Sequence, residues 1–335
     1  MQAWILPAPS PAEEHPLKLA ELPDPEPGPG EVLLRVRACG VCHTDLHVAE
    51  GELPPVRLPV VPGHQVVAEV AAVGPDPGEL PAGVAVGSRV GLTWLYDACG
   101  RCRYCLEGRE NLCERPRFTG YHAHGGYAPW VVAPARSVVP LPGNYSDLEA
   151  APLLCAGVIG YRSLKVAGVR PGEALALFGF GASAHLTLQV ARAWGCRVAV
   201  FSRSERHRRL ALELGAAWAG EAGQKPPFAC ERAITFAPAG WVVARALEAV
   251  RRGGVVAINA VHMDSLPAMD YGLLYWERQL VSVANLTRAD AREFLELAER
   301  IPLRVHAQPV PFSEANEALV RLKRAQVDGA LVLVP

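Results

Sequence analysis

Four cysteines, Cys99, Cys102, Cys105 and Cys113, form a C-x2-C-x2-C-x7-C run. Thiolates at that density close a tetrahedral site around one Zn2+. Ribbons and fingers pair two C-x2-C knuckles across a longer gap, whereas here one lobe supplies every ligand. A second set, Cys42, His64 and Cys155, offers three strong donors. Four protein ligands describe a structural zinc. Three describe a catalytic one, with a position left for water or substrate.

Beyond both sets lies Gly179-Phe180-Gly181-Ala182-Ser183-Ala184, a G-x-G-x-x-A turn. It follows a short apolar strand, Ala174 to Phe178, and opens a helical pattern, Ala182 to Trp194. The glycines allow a tight turn and close approach of backbone to a pyrophosphate, which the helix amides and dipole would hold. Alone, such a turn is common before helices; the strand-turn-helix setting makes it a dinucleotide loop. An acid about twenty residues on would hold the ribose 2'-OH of NAD. The chain instead reads Ser202-Arg203-Ser204-Glu205 after the next strand. Glu205 is explained as the partner of Ser202 in a capping box. Ser202, Arg203 and Arg208 near the ribose suit a 2'-phosphate, which favours NADP(H) and leaves NAD(H) as the alternative.

Two kinds of element must position these groups. Residues 1 to about 150 are rich in Pro and Gly, with β-type runs such as Val32–Val36 and Gln65–Val70 between turn clusters. That pattern predicts an antiparallel, barrel-like β domain. From Glu173 onward, apolar strands at 174–178, 197–201, 233–236, 255–258 and 280–283 alternate with helical patterns. This predicts a parallel, doubly wound sheet, so the class is α/β plus β. After about 285 come a helix (289–300), an extended stretch (305–311), a helix (313–325) and a strand (330–334). That tail resembles neither half.

Composition narrows the function. The 335 residues suffice for two domains, half are apolar, and the net charge is -1. Nucleic acid and anionic membrane partners are not indicated. No apolar run reaches a membrane span, and the start lacks the regions of a signal peptide. Nine cysteines, most at metal spacing, suit a reducing cytoplasm rather than a disulfide scaffold. Cys39, Cys196 and Cys230 read as small core residues.

Cys42-His43-Thr44-Asp45-Leu46-His47, Gly63-His64, the four-cysteine lobe, Cys155 and the Gly179 loop occur in one order along the chain. In this order the sequence resembles the zinc-containing alcohol dehydrogenases of the medium-chain dehydrogenase/reductase superfamily. The resemblance covers essentially the whole chain. It implies a GroES-like catalytic domain over 1–155, an inserted Rossmann cofactor domain over 156–285, and a return to the catalytic domain over 286–335, which accounts for the tail. It implies two zincs per chain, with Cys42, His64 and Cys155 the catalytic ligands. Thr44 and His47 match the family's proton relay. His43 matches a basic position near the cofactor pyrophosphate, and Asp45 the acid that orients the ligand histidine. Trp94, with Leu95 and Tyr121, falls where the substrate pocket is lined. A homo-oligomer, dimer or tetramer, is implied, with a strand near Leu280 to Leu286 pairing across a two-fold.

Two positions depart from the family. Gln65 follows the ligand histidine where Glu is usual, leaving the site less negative and the ligand-exchange role of that acid in doubt. Gly329-Ala330 stands where many members carry Gly-Arg, so pyrophosphate charge falls to helix amides, His43 or another arginine.

These residues describe hydride transfer between a primary or small secondary alcohol, or its aldehyde, and a nicotinamide. The alcohol proton would pass from Thr44, through a cofactor ribose hydroxyl, to His47, an imidazole being the side chain suited to a relay near neutral pH. Bland readings stand beside this. Thr44 could cap a helix starting at Asp45, Asp97 and Glu114 read as solvated, and His122, His124, His185 and His262 read as structural. A polyol or sugar dehydrogenase of the same superfamily leans on an acid near zinc, against which Gln65 and Trp94 argue. A non-enzymatic zinc-stapled module predicts loss of one of Cys42, Thr44, His47, His64 or Cys155, and all five are present.

Overall fold

The computed structural model describes residues 1–76, 78, 80–327 and 329–334. The chain divides into two units. One comprises Met1–Val158, Asn285–Arg300 and Val305–Pro335, the other Ile159–Ala284 and Ile301–Arg304.

The first unit is built on a seven-stranded sheet. The strand Glu31–Val41 lies at its centre, flanked by Gln65–Val73, Trp130–Pro134 and, from the tail, Ala330–Val334. Its partners all run antiparallel to it. Val32, Leu34 and Val36 alternate with exposed or half-exposed neighbours, the period-two pattern that buries one face. The tail belongs here because Leu331, Val332 and Leu333 register against Val41, Gly40 and Cys39. Burial of Leu319, Leu331 and Leu333 in the same core as Val32 and Val66 holds it there.

The second unit is a six-stranded parallel sheet in the order 218–220, 197–201, 174–178, 230–235, 250–258, 279–282. Its central strand Ala174–Phe178 is apolar and buried at its last four positions, as a strand covered on both faces must be. Phe178 stacks on Phe201 at 4.1 Å across adjacent strands. Gln279–Ser282 forms one edge.

Two local expectations are corrected. The helix after the strand Arg197–Phe201 begins at Glu205 with Ser204 as its cap, whose hydroxyl accepts from the His207 N–H at 3.3 Å. Ser202 is not the cap: its hydroxyl accepts from the Ser204 N–H (3.3 Å), and Glu205 pairs with Arg209 at 2.9 Å. Ser204 stands next to the helix and wins that role. Likewise the helix His43–Glu50 starts before Asp45, with Cys42 at its cap, so Thr44 lies inside the first turn and caps nothing. Among the described residues, no helix is long and apolar enough to cross a membrane.

Candidate active site and metal centres

The central strand Glu31–Val41 runs directly into Cys42 and the helix His43–Glu50. Asp45 ties this corner to the next metal donor. One carboxylate oxygen accepts from the Cys42 N–H (2.9 Å), and the other accepts from the Gly63 N–H (3.2 Å) and lies 3.0 Å from His64 Nδ1. Asp45 and His64 are both buried. His64 Nε2 is buried with no hydrogen-bond partner, an arrangement a folded protein avoids unless something else fills it.

The third donor arrives by an unusual element. Cys155 sits in a π-helical turn, Leu153–Gly157, between the helices Asp147–Pro152 and Val158–Ala167. Such turns are rare and concentrate at functional sites. Cys155 Sγ lies 3.9 Å from Cys42 Sγ, and the donor atoms of Cys42, His64 and Cys155 all fall within 4.8 Å of one another. The hydrogen bond from the Cys155 thiol pulls the Cys42 pKa well below its ordinary value, against burial and with help from His64; Cys155 is pushed up correspondingly. Burial alone would lower the His64 pKa, but the charge and hydrogen bond of Asp45, with Cys42, push it up to about 10. The same Asp45 carboxylate strengthens Nε2 as a donor to any cation, metal included. Two cysteine sulfurs and an orphaned imidazole nitrogen, held together by an oriented acid, fit Zn2+.

In the four-cysteine lobe, Sγ separations are 3.6 Å (Cys102–Cys105), 4.0 Å (Cys99–Cys105) and 4.0 Å (Cys102–Cys113). A tetrahedron with Zn–S bonds of ~2.3 Å has edges of ~3.8 Å, so the lobe has the dimensions of an all-thiolate zinc site. Backbone N–H groups of Cys99, Cys102 and Arg115 point at the sulfurs from 3.3 to 3.4 Å. Such donors, from Arg101 and Cys102, bring Cys99 down to about 6, while burial and its thiol neighbours send Cys105 up to about 12. Asp97 beside the lobe is not merely solvated: Arg136 holds it at 2.7 Å.

Around Cys42, His64 and Cys155 the helix His43–Glu50 presents Thr44, whose hydroxyl lies 3.8 Å from Cys42 Sγ, and His47 three residues on, hence on the same helical face. His43 is exposed on that helix, with its ring 6.4 Å from that of His47. Trp94 packs its edge against the His64 ring at 5.0 Å and stacks on Phe118 (5.0 Å) and Tyr121 (5.9 Å). Leu95 is buried in the adjoining strand Leu95–Asp97, in register with Phe118. Phe118 escaped sequence reasoning, because only the pairing of these distant strands brings it to Trp94. Gln65 is buried with its amide oxygen unpartnered, and its side chain lies over Gly40, where a Cβ would meet that oxygen at 2.5 Å. His124 accepts from the Val61 N–H (3.0 Å), and burial, with Arg57, pushes its pKa down to about 4, so it is a neutral structural acceptor.

In the second unit, Gly179 has φ 89°, and a Cβ there would meet the Ala237 backbone nitrogen at 3.0 Å. Gly181 caps the helix Ala182–Ala193 and faces open space. The first amides of that helix, from Ala182, Ser183 and Ala184, have no intrahelical acceptor. An anion can approach the backbone there, which a pyrophosphate requires. Arg208 is otherwise engaged: it donates to the carbonyls of Ser202 (2.7 Å) and Arg203 (3.1 Å) and lies 3.4 Å from Glu221. Arg203 is exposed beside Ser202.

Residues 28–143 match the alcohol dehydrogenase GroES-like domain. The chain is 47% identical over 336 residues to "Probable alcohol dehydrogenase AdhA" of Mycobacterium tuberculosis, covering 100% of this chain and 97% of that one. A crystal structure of an NAD-dependent alcohol dehydrogenase superposes with a TM-score of 0.89 at 28% identity, covering 100% of both chains. The cobalt- and zinc-bound thermostable alcohol dehydrogenase of Pyrobaculum aerophilum gives 0.86 at 27% identity, covering 100% of this chain and 99% of that one. The chain belongs to the zinc-type medium-chain alcohol dehydrogenase family. It is an oxidoreductase that uses zinc and a nicotinamide cofactor to interconvert small alcohols and their carbonyl partners, with a GroES-like and a Rossmann domain.

Proposed function

We propose that Cys42, His64 and Cys155 hold a catalytic zinc, that the four-cysteine lobe holds a second, structural zinc, and that the favoured cofactor is NADP(H). The observation that carries the first assignment is the orphaned His64 Nε2 among two thiols, oriented from behind by Asp45. The second rests on Sγ separations of 3.6 to 4.0 Å. When bound, the zinc supplies Lewis-acid polarisation of the alcohol oxygen and the nicotinamide exchanges the hydride.

The chain's own residues manage orientation and the proton. Thr44, beside Cys42, takes the alcohol proton at its hydroxyl as its own proton moves on. His47, on the same face of the helix, receives it on the way to solvent. Trp94, Phe118 and Tyr121 wall the site with apolar faces, which favours alcohols with apolar substituents over polyols. Gly179, Gly181 and the amides of Ala182, Ser183 and Ala184 suit the pyrophosphate, with His43 a candidate for a further contact. Arg203 with Ser202 suits a ribose 2'-phosphate. The commitment of Arg208 to backbone carbonyls leaves it a supporting part, fixing the shape of the Ser202-Arg203 corner.

A homo-oligomer, dimer or tetramer, is supported by the edge strand Gln279–Ser282 and by the exposed Tyr271, Tyr275 and Trp276 that precede it.

The deciding experiment follows reduced-nicotinamide absorbance in zinc-replete protein with a panel of alcohols, run with NADP+ and NAD+ in parallel. Faster turnover with NADP+, lost in Arg203→Ala, is expected. Turnover with NAD+ alone keeps the enzyme and overturns the cofactor preference. Cys42→Ser is expected to abolish turnover while the fold persists; wild-type rates in that variant would overturn the ligand assignment.

A further inference from the structure

We infer that Glu52 is a positioning residue for His47: its carboxylate holds the imidazole proton at Nδ1, so that Nε2 is the ring's acceptor in proton transfer. The inference rests on the relay reading given above.

The turn after the helix His43–Glu50 makes the pair. Gly51 ends the helix with φ 79°. Its N–H donates to the Val48 carbonyl (3.3 Å), and the Leu53 N–H donates to the His47 carbonyl (3.2 Å). Glu52, between them, is thereby folded back onto the last helical turn, where its carboxylate meets His47 Nδ1 in a close hydrogen bond. The turn has little other shape open to it. A side chain at Gly51 would be strained at that φ and would meet Pro9 Cβ at 3.0 Å. Glu50, the neighbouring acid, is committed elsewhere, accepting from the Ala12 N–H and from Lys323 Nζ, both at 2.8 Å. Glu52 and, one turn back, His43 are titratable groups that face His47.

A neutral imidazole has one donor and one acceptor nitrogen, and a partner at either one decides the tautomer. With the proton at Nδ1 held by Glu52, Nε2 accepts the alcohol proton. The imidazolium formed is stabilised by the adjacent carboxylate. Loss of one proton to water then restores the neutral ring, so the alcohol proton ends in solvent and no other species is consumed. His47 is 18% exposed and Glu52 39%, so water reaches the carboxylate side of the pair.

The test uses full-length, zinc-replete enzyme labelled with 15N-histidine, above the ordinary histidine pKa of ~6.5. Long-range 15N–1H spectra report each tautomer, and His47→Gln identifies the His47 signals by their loss. Expected are an Nδ1-protonated His47 in the wild type and a mixed or reversed tautomer in Glu52→Ala. kcat/KM for the alcohol should fall about tenfold in Glu52→Ala, against about a hundredfold in His47→Gln. Glu52→Gln, whose amide oxygen still accepts from Nδ1–H, should restore the tautomer and part of the rate. Wild-type tautomer and rate in Glu52→Ala, with His47→Gln impaired, would overturn the inference and leave the relay intact. A wild-type rate in His47→Gln would overturn the relay, and the inference with it.

Discussion

Asp45 grips Cys42 and His64 at once: its carboxylate accepts from the Cys42 N–H at 2.9 Å and lies 3.0 Å from His64 Nδ1. One acid thus sets the geometry of the corner and the basicity of the imidazole. Asp45→Asn keeps the shape but removes the charge. Zinc affinity at this site is expected to fall about 10- to 100-fold. Competition with a chelator, followed by metal analysis, checks this: the variant should lose one zinc early and retain the other in the cysteine lobe.

Cys99→Ser should act in the opposite place. Its sulfur accepts the Cys102 N–H and faces Cys105, so the lobe loses a ligand and a backbone anchor together. Zinc content should drop by one per chain, with kcat little changed in the cold. The melting temperature of the unit that holds the lobe should fall by roughly 5–10 °C, at about 2–4 °C per kcal/mol for a unit of that size. Calorimetry on zinc-replete protein decides it, and an unchanged transition would mean the lobe carries no stability.

Asp147 joins the two approaches to Cys42 and Cys155. It opens the helix leading to the Cys155 turn, and it accepts from Arg37 (2.8 Å) on the strand leading to Cys42 and from Arg89 (2.6 Å). Burial pushes its pKa up, but the two guanidiniums outweigh burial and hold it below the ordinary carboxylate value. A depressed folded pKa contributes stability that is present above the unfolded value of ~3.9 and lost as pH falls through the folded one. Asp147→Asn should therefore cost about 1–2 kcal/mol near neutrality, with the gap to wild type closing below about pH 4. Urea melts at pH 7 and pH 3.5 test the sign; a gap that widens in acid would refute it.

Much of this was legible in the residue order, for physical reasons that differ by element. The parallel sheet announced itself because strands buried on both faces must be apolar runs, as Leu175–Phe178 is. The tail's return to the first unit could be inferred only from resemblance, since nothing local in Leu331–Leu333 points to a partner near Cys39. Competing hydroxyls explain the misplaced cap: Ser202 and Ser204 carry the same chemistry, and only the turn geometry chooses. The Trp94–Phe118 stack and the π-helical seat of Cys155 were invisible because both depend on long-range packing. The ion pair of Asp97 with Arg136, 39 residues apart, belongs to the same class.

The pairing of Ala330–Val334 with Glu31–Val41 has a consequence for synthesis. The strand that delivers Cys42 lacks this neighbour until nearly three hundred further residues have been translated. Ile159–Ala284, a nearly contiguous unit, can fold on the ribosome well before that. A newborn chain in which that unit has formed still has a long loop to close in the first unit. Premature termination shortly before residue 330 would release a chain in which Cys42, His64 and Cys155 are all present and whose central sheet is unfinished.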